Sequence, residues 1–154
     1  MHILEDLLFW GSRKFKKVLA FEANPKNYFS LIKNLKLNKI KNVNAINFAV
    51  SSKERKLFLE IPELNTGATK ISKKGTIKTK SIVLDKFLKK EKINPKEIKL
   101  ILIDVKGREK NVLEGASNFL KKTKAELIVE CFNLEKIEDY HDLLSTLKCG
   151  VSIS

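Results

Sequence analysis

Val18-Leu19-Ala20-Phe21-Glu22-Ala23-Asn24-Pro25 is the stretch from which the fold is read. Four apolar residues, long enough for a buried strand and too few for a helix, end at an acid. Asn24 then offers a side-chain oxygen suited to capping a helix. Pro25 has the fixed φ of a first helical turn, where its missing N–H is not needed. Beyond it Phe29, Ile32, Leu35 and Leu37 recur at near-helical spacing, and Asn38 to Asn42 closes the segment. A strand that passes through an acid into a capped helix is half of a βαβ unit, so an α/β fold is expected.

The same alternation continues on both sides. Leu4 to Phe15 reads as a helix, Val43 to Val50 as a second strand, and Lys56 to Ile61 as a third, stopped by Pro62. Asn65-Thr66-Gly67-Ala68-Thr69 through Gly75 reads as a polar loop. Ser81-Ile82-Val83-Leu84 leads into a short helix around Asp85 to Lys90, and Asn94-Pro95 breaks the chain. Leu100-Ile101-Leu102-Ile103 is the most hydrophobic run and ends at Asp104, which suits a central parallel strand buried on both faces. Asn111 to Leu120 reads as a helix and Leu127-Ile128-Val129 as a strand ending at Glu130. Tyr140 to Leu147 reads as a last helix, and Val151 to Ile153 as a clipped strand. With no linker or repeat, the 154 residues are expected to form one domain around a mostly parallel sheet.

Composition narrows the function. No run approaches the roughly 20 apolar residues of a membrane-spanning helix. The start, Met1 to Asp6, is acidic rather than basic, so a cytoplasmic chain without a membrane partner is expected. Cys131 and Cys149 stand far apart. His2 is terminal and His141 lies in a polar run, so neither a metal nor a disulfide is expected. The net charge of +13 invites a polyanion as partner. However, Arg13, Arg55 and Arg108 are the only arginines, and the guanidinium fork is what suits base and phosphate recognition. The lysines are also dispersed from Lys14 to Lys148. A non-catalytic lysine-rich module for RNA or another polyanion is therefore the alternative reading and not the leading one.

Three strands end in an acid: Glu22, Asp104 and Glu130. Parallel sheets bind ligands beyond the carboxyl ends of their strands, so the three point to a site. Glu22 is the most readable, because a carboxylate at a strand end can accept hydrogen bonds from both hydroxyls of a ribose. Asp104, Glu109 and Glu130 offer carboxylates to a divalent ion as a minor reading.

Val18 to Pro25, with Asn27-Tyr28 and Leu35-Lys36-Leu37-Asn38, resembles the FkbM methyltransferase family, whose members carry "VxAFEPNP…LxxNxxLN" there. Asn47 to Ser52 resembles the family strand that ends in "AVS", and Asn65 to Thr69 resembles its small-residue loop. Ile103-Asp104-Val105-Lys106-Gly107-Arg108-Glu109, continued by Val112-Leu113-Glu114-Gly115-Ala116, resembles "IDVEGAExxVLxGA", and Leu127 to Glu130 resembles "IIxE". The resemblance implies a Rossmann-like methyltransferase sheet, S-adenosylmethionine as cofactor, and methyl transfer to a hydroxyl of a sugar, glycan or other small molecule. It implies that Glu22, with Ala23 and Asn24, binds the cofactor ribose and that Ala49 lines the adenine pocket. Asp104, with Lys106 and Glu130, would form the catalytic set.

Two departures from the family stand out. Lys106 replaces a glutamate and Arg108 a small residue, a charge reversal beside the expected reaction centre. The family's opening strand and its "DxGAxxG" turn are also missing, since Gly11 is the only glycine before Val18. That strand belongs between those ending at Glu22 and Asp104. It is expected to be encoded upstream of a truncated reading frame; direct pairing of its two neighbours, or a strand from another chain, are the alternatives.

Overall fold

In a computed structural model, which describes residues 3–60, 70–72, 74–105 and 107–130, α1 (Ile3–Lys14), β1 (Val18–Phe21) and α2 (Pro25–Leu37) lie where the sequence places them. The chain forms two compact units, one from Met1–Ala49 with Lys56–Ser81 and the other from Val50–Arg55 with Ile82–Ser154.

In the first unit, Asn24 caps α2, its side-chain oxygen accepting the Lys26 N–H at 3.0 Å. The residue is 0% exposed, so the cap is shielded from competing water. Leaving such a cap unfilled costs about 1 kcal/mol. α2 ends as Lys39 turns into the left-handed region at φ 55°. β2 (Val43–Ile46) then runs parallel to β1, from Val18 opposite Val43 to Phe21 opposite Ile46. Ala20, Leu31 and Leu35 form the buried cluster, flanked by Leu8 of α1 and by Ile40, Val43 and Ala45. Burying each of the two leucines contributes about 1.5–3 kcal/mol. The Asn42 side-chain amide holds the end of α1, donating to the carbonyls of Ser12 at 2.7 Å and Phe15 at 2.9 Å.

Val43 to Val50 is not one strand, contrary to expectation. The β1–β2 ladder ends where the Glu22 N–H donates to the Ile46 carbonyl at 3.0 Å, and the Phe48 N–H turns back onto that same carbonyl. Two further residues, β3 (Ala49–Val50), resume the extended chain. β4 (Lys56–Glu60), β5 (Lys70–Ile71) and β6 (Ile77–Ile82) follow, in a sheet of order β3-β6-β4-β5. β4 pairs antiparallel with both β5 and β6. Lys70–Ile71 is thus a strand where a polar loop was expected. β6 starts at Ile77, four residues before the expected Ser81. A Cβ on Gly75 would stand 2.8 Å from the Leu59 nitrogen and 2.5 Å from its oxygen, so only glycine lets this turn lie against β4.

The second unit contains α3 (Leu84–Lys90), a 3-10 turn at Pro95–Glu97, β7 (Leu100–Ile103), α4 (Glu109–Gly115), α5 (Ser117–Leu120) and β8 (Glu126–Val129). β7 and β8 are parallel, Leu100 opposite Glu126 and Ile103 opposite Val129. Leu88, Ile103, Val112, Leu113, Phe119, Leu120 and Leu127 are buried. The single helix expected over Asn111 to Leu120 breaks at Ala116 (φ −112°, ψ 8°). The Asp85 carboxylate caps the restarted turn from α3, accepting the N–H groups of Asn118 at 2.9 Å and Phe119 at 2.8 Å. β7 is not buried on both faces as expected. Only Ile103 is buried, and β8 is its ladder partner among the described residues.

The α/β class therefore stands, and both βα-type pairs are parallel, while β4, β5 and β6 are antiparallel. The expected last helix and clipped strand, Asn65 to Thr69, both cysteines and both histidines lie outside the described residues. Among the described residues no helix is long and apolar enough to cross a membrane.

Candidate functional site

Glu22 follows β1 directly and is half-buried. Its backbone remains in the ladder through the bond to Ile46, while its side chain turns forward. Oε1 accepts the Asn24 N–H at 2.7 Å, a short charge-assisted bond. The Glu22 carbonyl in turn accepts from the Asn47 side-chain amide at 2.8 Å. Glu22, Ala23 and Asn24, all proposed from sequence, thus form one turn between β1 and α2, fixed at three points. The bond to Asn24 sets the rotamer of the Glu22 side chain. Such an acceptor suits a vicinal diol, since it is anionic, half-buried and fixed in its geometry in advance. Asn47 was missed by sequence reading. Its signal was the register, since Phe21 opposite Ile46 places Asn47 directly opposite Glu22. Ala49, the other expected cofactor residue, begins β3 and is buried.

Asp104 and Glu130 come together in the second unit. Ile103 lies opposite Val129, so the two acids leave β7 and β8 at the same end. The Glu130 N–H donates to the Ile103 carbonyl at 2.9 Å, carrying the ladder one step past β8. Asp104 is half-buried and Glu130 exposed. Lys106, the third member of the expected catalytic set, lies outside the described residues.

The loop after Asp104 is held from within. Gly107 takes φ +83°, a conformation that side chains with a Cβ rarely adopt. Its N–H donates to Glu109 Oε1 at 2.7 Å. Glu109 is 1% exposed, and its carboxylate lies in the first turn of α4, where the helix dipole favours an anion. The sequence signal for this role was an acid two residues beyond a glycine at a helix start. Among the described residues no three His, Cys, Asp or Glu side chains group so as to hold a metal ion. Asp104, Glu109 and Glu130 therefore do not form the ion site entertained for them.

The family model of the methyltransferase FkbM domain matches residues 9–152 of the chain. No curated protein and no solved structure matches it.

Proposed function

The chain belongs to the FkbM methyltransferase domain family, and from that premise we propose that it transfers a methyl group from S-adenosylmethionine to a hydroxyl of a sugar or other small molecule. The observation that carries the proposal is Glu22, a carboxylate at the end of β1 whose rotamer is fixed by the Asn24 N–H. Glu22 would accept both ribose hydroxyls of the donor, with Ala23 and Asn24 forming the floor of that turn and Ala49 lining the adenine side. The sheet would be Rossmann-like, and residues 1–154 one methyltransferase-like domain.

When bound, the donor supplies an electrophilic methyl on a sulfonium centre. Transfer would be an in-line displacement, the acceptor oxygen bonding to the methyl carbon in place of sulfur with release of S-adenosylhomocysteine. Much of the rate of such an in-line displacement comes from holding the two partners in near-attack geometry. Asp104 would take the hydroxyl proton as the bond forms, a role open to a carboxylate within hydrogen-bond reach. Glu130, beside it across the β7–β8 ladder, would orient the acceptor, and Lys106 would favour an acceptor that carries negative charge.

Calorimetric titration of the folded chain with S-adenosylmethionine and S-adenosylhomocysteine tests the proposal. The expected result is binding that Glu22→Ala abolishes while the circular dichroism spectrum is unchanged. A folded chain that binds neither compound would sink the methyltransferase reading. The polyanion alternative instead requires affinity for RNA that falls steeply with salt and ignores Glu22→Ala.

A further inference from the structure

One face of the first unit has no part in the proposed chemistry. Leu8 of α1 packs against the cluster that Leu31 and Leu35 of α2 form with Ala20, so both helices border the same buried cluster beside β1. Each helix has a second side, away from that cluster, that is exposed. Those sides are not polar, as outward helix faces normally are. Phe29 and Leu37 of α2 are each 69% exposed and Trp10 of α1 is 46% exposed, with Leu7 and Ile32 exposed beside them. An open groove of about 680 Å3, lined by Asp6, Phe9, Trp10, Arg13, Lys14 and Asn38, joins α1 to the end of α2.

The charge around these side chains is mostly positive, with Asp6 as the acid lining the groove. Arg13, Lys14, Lys26, Lys33 and Lys36 are all exposed on the same two helices. From Ile3 to Asn42 the sequence holds nine lysines and arginines against three acids, Glu5, Asp6 and Glu22. Apolar side chains set among lysines, on helices lying side by side, have the composition of an interfacial face. Lysine stems cover apolar surface while their ammonium groups reach for phosphate. A nucleic acid would use the cations but has nothing to pair with Leu37 or Ile32. A second copy of the chain would bring a face of the same charge.

We propose that the α1–α2 face docks on an anionic lipid surface, with Trp10, Phe29, Ile32 and Leu37 entering the headgroup layer and the lysines meeting the lipid phosphates. Lying on a bilayer needs only such a face and no spanning helix. The proposal does not rest on methyl transfer.

Trp10 is the only tryptophan, so its fluorescence reports the docking directly. The full chain is mixed with vesicles of phosphatidylcholine and phosphatidylglycerol in equal parts, and with vesicles of phosphatidylcholine alone. The expected result is a blue shift of Trp10 and co-sedimentation with the mixed vesicles only, weakened by salt. Replacing both Phe29→Ser and Leu37→Ser keeps the charge and removes exposed apolar area, and should lower vesicle affinity about tenfold or more. Circular dichroism of that variant should be unchanged, because neither side chain is in the core. Three outcomes would each overturn the proposal: no partition onto anionic vesicles at low salt, equal partition onto neutral ones, or partition that the double variant leaves intact. A homopolymeric RNA that displaces the vesicles and binds the double variant as well as the original chain would assign the face to nucleic acid instead.

Discussion

Replacing Gly115 with alanine should destabilise this protein, although the local rule points the other way. Glycine within a helix costs about 1 kcal/mol relative to alanine, so α4 taken alone would gain from the exchange. The obstacle is tertiary. A Cβ at Gly115 would stand 2.9 Å from the Ser51 carbonyl carbon, closer still to its oxygen, and 3.3 Å from Ser52 Cα. Every one of these atoms is backbone, and carbon atoms pack best about 3.5–4.0 Å apart. Ser51 is buried, and its N–H is bound to the Ile82 carbonyl at 2.9 Å, so it has little room to withdraw. Overpacking costs about 1–3 kcal/mol, and contacts this short against backbone belong in the upper part of that range, about 2–3 kcal/mol. With the helix gain subtracted, the expected net loss is about 1–2 kcal/mol. For a chain of this size that is a fall in Tm of about 2–8 °C. Urea denaturation followed by circular dichroism should show a lower midpoint at an unchanged slope. Gly107→Ala serves as the control, since a Cβ there meets nothing within 4 Å and any cost must come from its φ of +83°. A Gly115→Ala protein as stable as the original, or more so, would refute the contact between α4 and Ser51.

Other substitutions test other joints. Asp85→Ala removes the cap that α3 lends to α5 and should cost about 1–2 kcal/mol in thermal denaturation, with Asp85→Asn losing less. Asn42→Ala removes both bonds that hold the end of α1; it should cost about 1–3 kcal/mol and speed amide exchange at Phe15. Glu22→Gln keeps an oxygen for the Asn24 N–H but loses the charge, so Tm should hold while donor affinity in calorimetry falls about tenfold. Lys86→Ala breaks the 3.2 Å pair with Glu54, but both side chains are mostly in water, so denaturation midpoints should not move measurably.

What the sequence revealed depended on whether the deciding chemistry was local. β1, its acid and the start of α2 were legible to the residue, because Asn24 and Pro25 specify the turn by their own side chains. Lys70–Ile71 was not legible, because two residues carry no period and only pairing with Leu59 and Glu60 makes them a strand. Ile77 to Lys80 of β6 were missed because their buried position, Thr79, is small and polar and the exposed Lys78 and Lys80 flank it, which fails a hydrophobic template. The break at Ala116 is imposed by Asp85, far away in sequence, and no helix propensity records it. The site follows the same division. That Glu22, Asp104 and Glu130 end strands could be read; that Asp104 and Glu130 share one strand end, and that Asn47 braces Glu22, required the register.

The residues that carry the family resemblance divide by what they do, and the division bears on catalysis. Gly115 of the "VLxGA" stretch meets Ser51 of the "AVS" stretch, so two separated motifs are the two sides of one packing contact. Asn24 caps α2 and Glu109 holds the Gly107 amide, both inside the protein. These positions would be retained by any chain that keeps this fold, whether or not it moves a methyl group, so a match across residues 9–152 weighs more for architecture than for chemistry. Glu22 is different. Its bond to the Asn24 N–H needs an acceptor but no charge, and an amide oxygen would serve the turn nearly as well. A carboxylate there is what a pair of ribose hydroxyls would favour. Loss of donor affinity in Glu22→Gln at constant Tm would locate the chemistry in the charge of Glu22. Loss of both together would return Glu22 to the structural set, with Asn24 and Gly115.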